Sequence, residues 1–137
     1  MPGNPDEAIP NERLRSDKTI LVFEDQTDLL GVIKHDLEEY GYRVLSAPGP
    51  EEALDICEEY PGEIDLLLSD VILPGINGRE LSDKIADILP NIKTVFMSGY
   101  SSGTLKVEGV IDDMAHFLQK PFTSYELGRK MFKVVNG

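Results

Sequence analysis

At 137 residues the chain has room for one domain with a real core. Its 41% hydrophobic and 28% charged residues are ordinary for a globular protein, and a net charge of −12 argues against nucleic-acid binding through a basic face. The single cysteine, Cys57, excludes an internal disulfide and fits a reducing, cytoplasmic compartment.

Residues 1–17 carry Pro2, Pro5 and Pro10 with little to bury, so they read as a flexible lead-in or linker, and 18–137 as the folded domain. They lack the apolar segment of a signal peptide. No stretch of the chain approaches the roughly 20 apolar residues of a membrane span, so no direct membrane contact is expected.

From Lys18 onward apolar runs alternate with helical patterns. Thr19–Phe23 reads as a first strand, and Thr27–Tyr40 as a helix with Leu29, Leu30, Ile33, Leu37 and Tyr40 on one face and Gly41 as its stop. Arg43–Ala47 is a short second strand. Pro50–Tyr60 is a second helix, with proline suited to its first position and Glu51 and Glu52 to its amino-terminal dipole. Ile64–Ser69 is a third strand, left through Pro74-Gly75. Gly78–Leu89 is a third helix and Ile92–Met97 a fourth strand. Ser101–Ala115, with two glycines and a broken apolar pattern, predicts only a short or poorly formed fourth helix. His116–Gln119 and Ser124–Val135 close the chain as strand and helix. Five strands alternating with helices imply an α/β fold with a parallel sheet covered on both faces.

The ends of four strands carry chemistry. Glu24-Asp25, Asp70, Ser98 and Lys120 each follow a separate apolar run, so each falls at the carboxyl edge of the sheet, where α/β proteins place ligands. Alone, each has a plain reading: a strand-end Asp is usually a loop or cap residue, and Ser-Gly or Lys-Pro is usually a turn. As a set they form a hard-oxygen pocket suited to Mg²⁺ or Mn²⁺, with an ammonium for phosphoryl oxygens and a hydroxyl to donate to them. Phosphoryl transfer needs mainly positioning and charge neutralisation, and Asp70 is the candidate nucleophile.

The marks Phe23-Glu24-Asp25, Leu68-Ser69-Asp70-Val71-Ile72-Leu73-Pro74-Gly75, Met97-Ser98-Gly99-Tyr100 and Phe117-Leu118-Gln119-Lys120-Pro121-Phe122 resemble the response regulator receiver domain of two-component signalling, over residues 19–136. The resemblance implies a flavodoxin-like three-layer sandwich with strand order 2-1-3-4-5. It implies Asp70 as phosphoacceptor. Glu24, Asp25, Asp70 and the Ile72 backbone carbonyl would hold Mg²⁺, with Asp25 the direct ligand and Glu24 acting through water. Ser98 would be the switch hydroxyl, Lys120 the phosphate-binding lysine and Phe117 the switch aromatic. The implied partner is a histidine kinase dimerisation domain or a histidine phosphotransfer protein, and the domain would promote its own phosphorylation and dephosphorylation. The Gly99-Tyr100 pair and the Phe117–Phe122 run resemble receivers appended to hybrid histidine kinases, with the lead-in as tether. Ile72 and Tyr100 flank the phosphoryl site and offer no carboxylate or amide to orient a water, so slow self-hydrolysis is expected.

Rival readings remain open at this point. A stand-alone single-domain regulator fits the same residues. A phosphatase or phosphotransferase with an aspartate nucleophile would resemble the haloacid dehalogenases, but these want a second Asp two residues on, where Ile72 stands. A flavin-binding domain would want a phosphate loop after the first strand, where two acids stand. A degenerate, binding-only receiver would not need the full set. His35 reads as a solvated helix residue, His116 as a strand-edge residue and Cys57 as core.

Overall fold

In the computed structural model, residues 10–71, 78–107, 109, 111 and 115–137 are described. The elements are β1 (Thr19–Phe23), α1 (Thr27–Glu39), β2 (Arg43–Ala47), α2 (Pro50–Glu59), β3 (Leu66–Asp70), α3 (Gly78–Ile88), β4 (Lys93–Ser98), α4 (Ser102–Val107), β5 (His116–Gln119) and α5 (Ser124–Asn136). The strands form one parallel sheet in the order β2-β1-β3-β4-β5, as expected.

Alternation along the strands builds two core layers. Ile20, Val22, Leu66, Leu68, Val95 and Met97 face one side, against Leu30, Ile33 and Leu37 of α1 and Leu127, Met131 and Val134 of α5. Leu21, Phe23 and Leu67 face the other, against Ala53 and Cys57 of α2 and Leu81 and Ile85 of α3. Both faces are covered, which is why these strands read as continuous apolar runs. A third cluster of Val71, Phe96, Leu105 and Ile111 seats α4 beside the end of β4.

Local chemistry sets the helix ends. Pro50 opens α2 with Glu51 and Glu52 in its first turn. Gly41 follows α1 with φ of +99°, a conformation that favours glycine. α5 begins with a capping box: the Glu126 N–H donates to Thr123 Oγ1 at 3.0 Å, and the Thr123 N–H donates to Glu126 Oε1 at 2.9 Å. Thr123→Ala is expected to lower stability by about 1 kcal/mol in urea unfolding, with the denaturant slope unchanged.

Two boundaries differ instructively from the sequence reading. β3 starts two residues later and takes in Asp70, so the acid is a strand residue level with Met97 of β4, not a loop residue beyond it. Residues 10–17 fall in the stretch expected to be a flexible lead-in. Asn11–Leu14 instead forms a 3₁₀ turn, and Leu14 is fully buried in the α1/α5 core layer. The Ser16 N–H donates to the Tyr40 carbonyl at 3.0 Å, and Arg15 Nη1 to the Glu39 carbonyl at 3.0 Å. The folded unit therefore takes in this segment. Residues 1–9 lie outside the described residues.

Candidate functional site

Strand order brings the carboxyl ends of β1 and β3 side by side, flanked by β4 and then β5. Glu24 leaves β1 with its N–H donating to the Ala47 carbonyl at 3.2 Å, and its side chain is fully buried. Asp25, the next residue, is exposed and lines an open cleft. Asp70 closes β3 and is buried. Ser98 closes β4, and the Lys120 N–H donates to the Ser98 carbonyl at 2.8 Å, carrying the sheet pairing one residue beyond β5.

The side chains converge. Lys120 Nζ lies 2.6 Å from Glu24 Oε1 and 2.6 Å from Asp70 Oδ1. Glu24 Oε2 accepts from the Gln26 N–H at 3.0 Å. Carboxylate oxygens of Glu24, Asp25 and Asp70 all lie within 4.8 Å of one another. The cleft over them holds about 240 Å³ and is walled by Asp25, Gln26, Asp70, Ser98, Tyr100 and Lys120. Ser98 Oγ accepts from the Tyr100 N–H at 3.0 Å, while the Tyr100 side chain is 59% exposed.

The electrostatics follow from crowding. Burial, then the hydrogen bond with Glu24, pushes the Asp70 carboxyl up to about 8, against the pull of Lys120. Burial also acts upward on Glu24, but its hydrogen-bonded contacts with Asp70, Lys120, the Gln26 backbone and Asp25 outweigh it and hold that carboxyl below its ordinary value. Burial acts downward on the Lys120 ammonium, and its contacts with Asp70 and Glu24 more than reverse that. Metal-free, the site sets three carboxyls against one ammonium. Hard oxygen donors this close, with a single ammonium to offset them, fit Mg²⁺.

Of the sequence-derived residues, Asp25, Asp70, Ser98, Tyr100 and Lys120 thus line one cleft, with Glu24 buried beneath it. Phe117 is half-buried on β5, packed against the Val71, Phe96, Leu105 and Ile111 cluster. Ile72 lies outside the described residues. His35 is exposed beside Glu39 at 3.5 Å, and His116 starts β5, at the end away from the cleft. Cys57 is buried, and its thiol is pushed up to about 11 by burial and by Glu58. A larger groove of about 460 Å³ lies at the opposite edge of the sheet. Its polar groups serve the fold: Asp65 Oδ2 accepts from the Thr19 N–H at 2.9 Å, and Lys93 Nζ donates to the Val134 carbonyl at 3.0 Å. The contact sequence reasoning did not find is Glu24 with Lys120, since nothing in either residue's neighbours announces a side-chain pairing 96 positions apart.

A sequence model of the response regulator receiver domain family matches residues 20–132. The chain belongs to that family. It is a receiver domain of two-component signalling, with the flavodoxin-like sheet order. Sensor kinase CckA of Brucella abortus (strain 2308) is 35% identical over 115 residues, covering 83% of this chain and 12% of that protein. Response regulator receiver protein CpdR of the same organism is 30% identical over 118 residues, covering 86% of this chain and 97% of CpdR. Among solved structures, the receiver domain from hybrid histidine kinase CckA is 38% identical with a TM-score of 0.72, covering 85% of this chain and 98% of that one. A response regulator receiver domain protein from Clostridium thermocellum is 28% identical with a TM-score of 0.76, covering 87% and 94%. This receiver therefore spans only a small part of CckA but nearly all of CpdR. Among the described residues no helix is long and apolar enough to cross a membrane.

Proposed function

We propose that Asp70 is the phosphoacceptor, taking its phosphoryl group from a phosphohistidine of a histidine kinase dimerisation domain or phosphotransfer protein in the cytoplasm. The observation that carries this is the placement of Asp70: a buried carboxylate at a strand end, open to the cleft and held by Lys120 at 2.6 Å. One Asp70 oxygen attacks phosphorus in line with the departing imidazole. The P–O bond forms, the P–N bond breaks, and its electron pair returns to the ring nitrogen. Asp25 and Asp70, with Glu24 through water and the Ile72 carbonyl, are the residues that would hold Mg²⁺, which supplies charge neutralisation for the incoming oxygens. Lys120 turns from Asp70 to a phosphoryl oxygen. Ser98 Oγ gives up the Tyr100 N–H and donates to another. Phe117 then repacks against Phe96 and Leu105, which changes the surface of β4, α4 and β5.

The parent is proposed to be a hybrid histidine kinase, supported by the 38% identity to the CckA receiver. The 97% coverage of CpdR favours a second reading, a stand-alone regulator.

Incubation with acetyl phosphate and Mg²⁺, followed by intact mass, should show one added phosphate that is lost in base and largely kept in acid. Continuous turnover of small phosphate esters would instead establish a phosphatase. Tyr100 offers no carboxylate or amide to orient a water over the phosphoryl group, so the label should persist well beyond seconds after the donor is removed.

A further inference from the structure

Glu24 is fully buried, and donors of this chain claim both of its oxygens. The Gln26 N–H, fixed at the start of α1, binds Oε2 at 3.0 Å, and Lys120 Nζ binds Oε1 at 2.6 Å. The Glu24 N–H is itself tied to Ala47 of β2. This carboxylate is therefore anchored to the backbone at two points before it reaches the lysine. Lys120 has a flexible four-carbon stem, and an ammonium accepts any direction of approach. Asp70 alone could not keep it in place once its own oxygen is taken up by phosphorus. Glu24 can, because its geometry does not depend on Asp70.

We propose that Glu24 is a positioning residue for Lys120: it presents the ammonium at the edge of the cleft, so that the charge is already placed when Asp70 gains a phosphoryl group. This rests on the reading that Lys120 binds the phosphoryl oxygens. Two conservative changes at Glu24 test it. Glu24→Gln replaces one acceptor by an NH₂ group while both partners are donors, so one contact must be lost. Glu24→Asp keeps the charge but is one methylene shorter, and cannot span Gln26 and Lys120 together.

The first readout is the NMR signal of the Lys120 ammonium in metal-free Asp70→Ala protein, where Asp70 no longer holds it at 2.6 Å, assigned by its absence when Lys120→Met is added. In that background it should be sharp and slow to exchange with or without Asp25→Asn, and broadened beyond detection with Glu24→Gln or Glu24→Asp. A sharp signal surviving in both Glu24 variants, or lost in Asp25→Asn, overturns the proposal. The second is the rate of labelling by acetyl phosphate in a double-mutant cycle. Glu24→Asp and Lys120→Met should each slow labelling about tenfold, the scale of one charge-assisted hydrogen bond, and the double variant should be no slower than either. Losses that multiply would mean that Glu24 acts independently of Lys120. If the parent chain takes up no label while the ammonium signal behaves as described, the phosphoacceptor reading fails and the positioning role stands.

Discussion

Asp70→Asn is expected to take up no phosphoryl group from acetyl phosphate and Mg²⁺, under conditions in which the parent chain is fully labelled. No neighbouring carboxylate can take over. Glu24 is the nearest other carboxylate, but its oxygens are directed at Gln26 and Lys120, and it is fully buried beneath the cleft. Asp25 is exposed to the cleft, yet the ammonium proposed to meet the phosphoryl oxygens is held at Asp70, 2.6 Å away. Attack from Asp25 would lose that preplaced charge, and displaced geometry of this kind costs on the order of a hundredfold in rate. Intact mass over a time course measures the effect. Labelling of Asp70→Asn within about tenfold of the parent rate would place the acceptor elsewhere, and peptide mapping would then find it at Asp25.

Much of this site is legible in sequence for a definite physical reason. In a parallel sheet with both faces covered, each strand is a near-continuous apolar run, so the first polar residue after the run marks the carboxyl edge. Glu24 and Ser98 obey that rule, and Lys120 stands one place beyond Gln119, the first polar residue after Phe117 and Leu118. Asp70 breaks it slightly, since Val71 after it is buried and its N–H pairs with the Met97 carbonyl. The strand order is not contained in any local pattern; the receiver resemblance supplied it, and the β1–β3 and β3–β4 registers bear it out. What local patterns cannot carry is pairing at long range. Leu14 sits among prolines and charges with no periodicity around it, so nothing in its own segment says that it fills a gap between α1 and α5. The Glu24–Lys120 contact is hidden for the same reason. The short α4 was legible as weakness: with Gly103 inside it and Gly109 just beyond, Ser102–Val107 is seated chiefly through Leu105.

The second large effect is on stability, and its sign follows from the raised Asp70 carboxyl. In the unfolded chain Asp70 ionises near its ordinary value of 3.8; in the metal-free fold it does so at about 8. Between those values the folded protein holds a proton that the unfolded chain has released. Stability must therefore fall as pH rises through this window. Glu24 has the opposite shift, so its contribution is lost only as pH falls through the acid range, and the raised Lys120 value acts above its ordinary 10.5. Neither offsets Asp70 between about pH 5 and about pH 8. The cleft admits water to the pair, so the expected loss over this range is on the order of 2 kcal/mol, roughly 6 °C in melting temperature. Asp70→Asn should flatten the slope and melt higher than the parent chain near pH 8, because the amide needs no proton to sit beside Glu24. Saturating Mg²⁺ should flatten it too, by supplying the charge that the proton stood in for. A metal-free parent chain whose melting temperature is level or rises across this range would mean that Lys120 alone neutralises both inner carboxylates. The proposed phosphoacceptor is thus also the residue that costs the metal-free fold stability as pH rises.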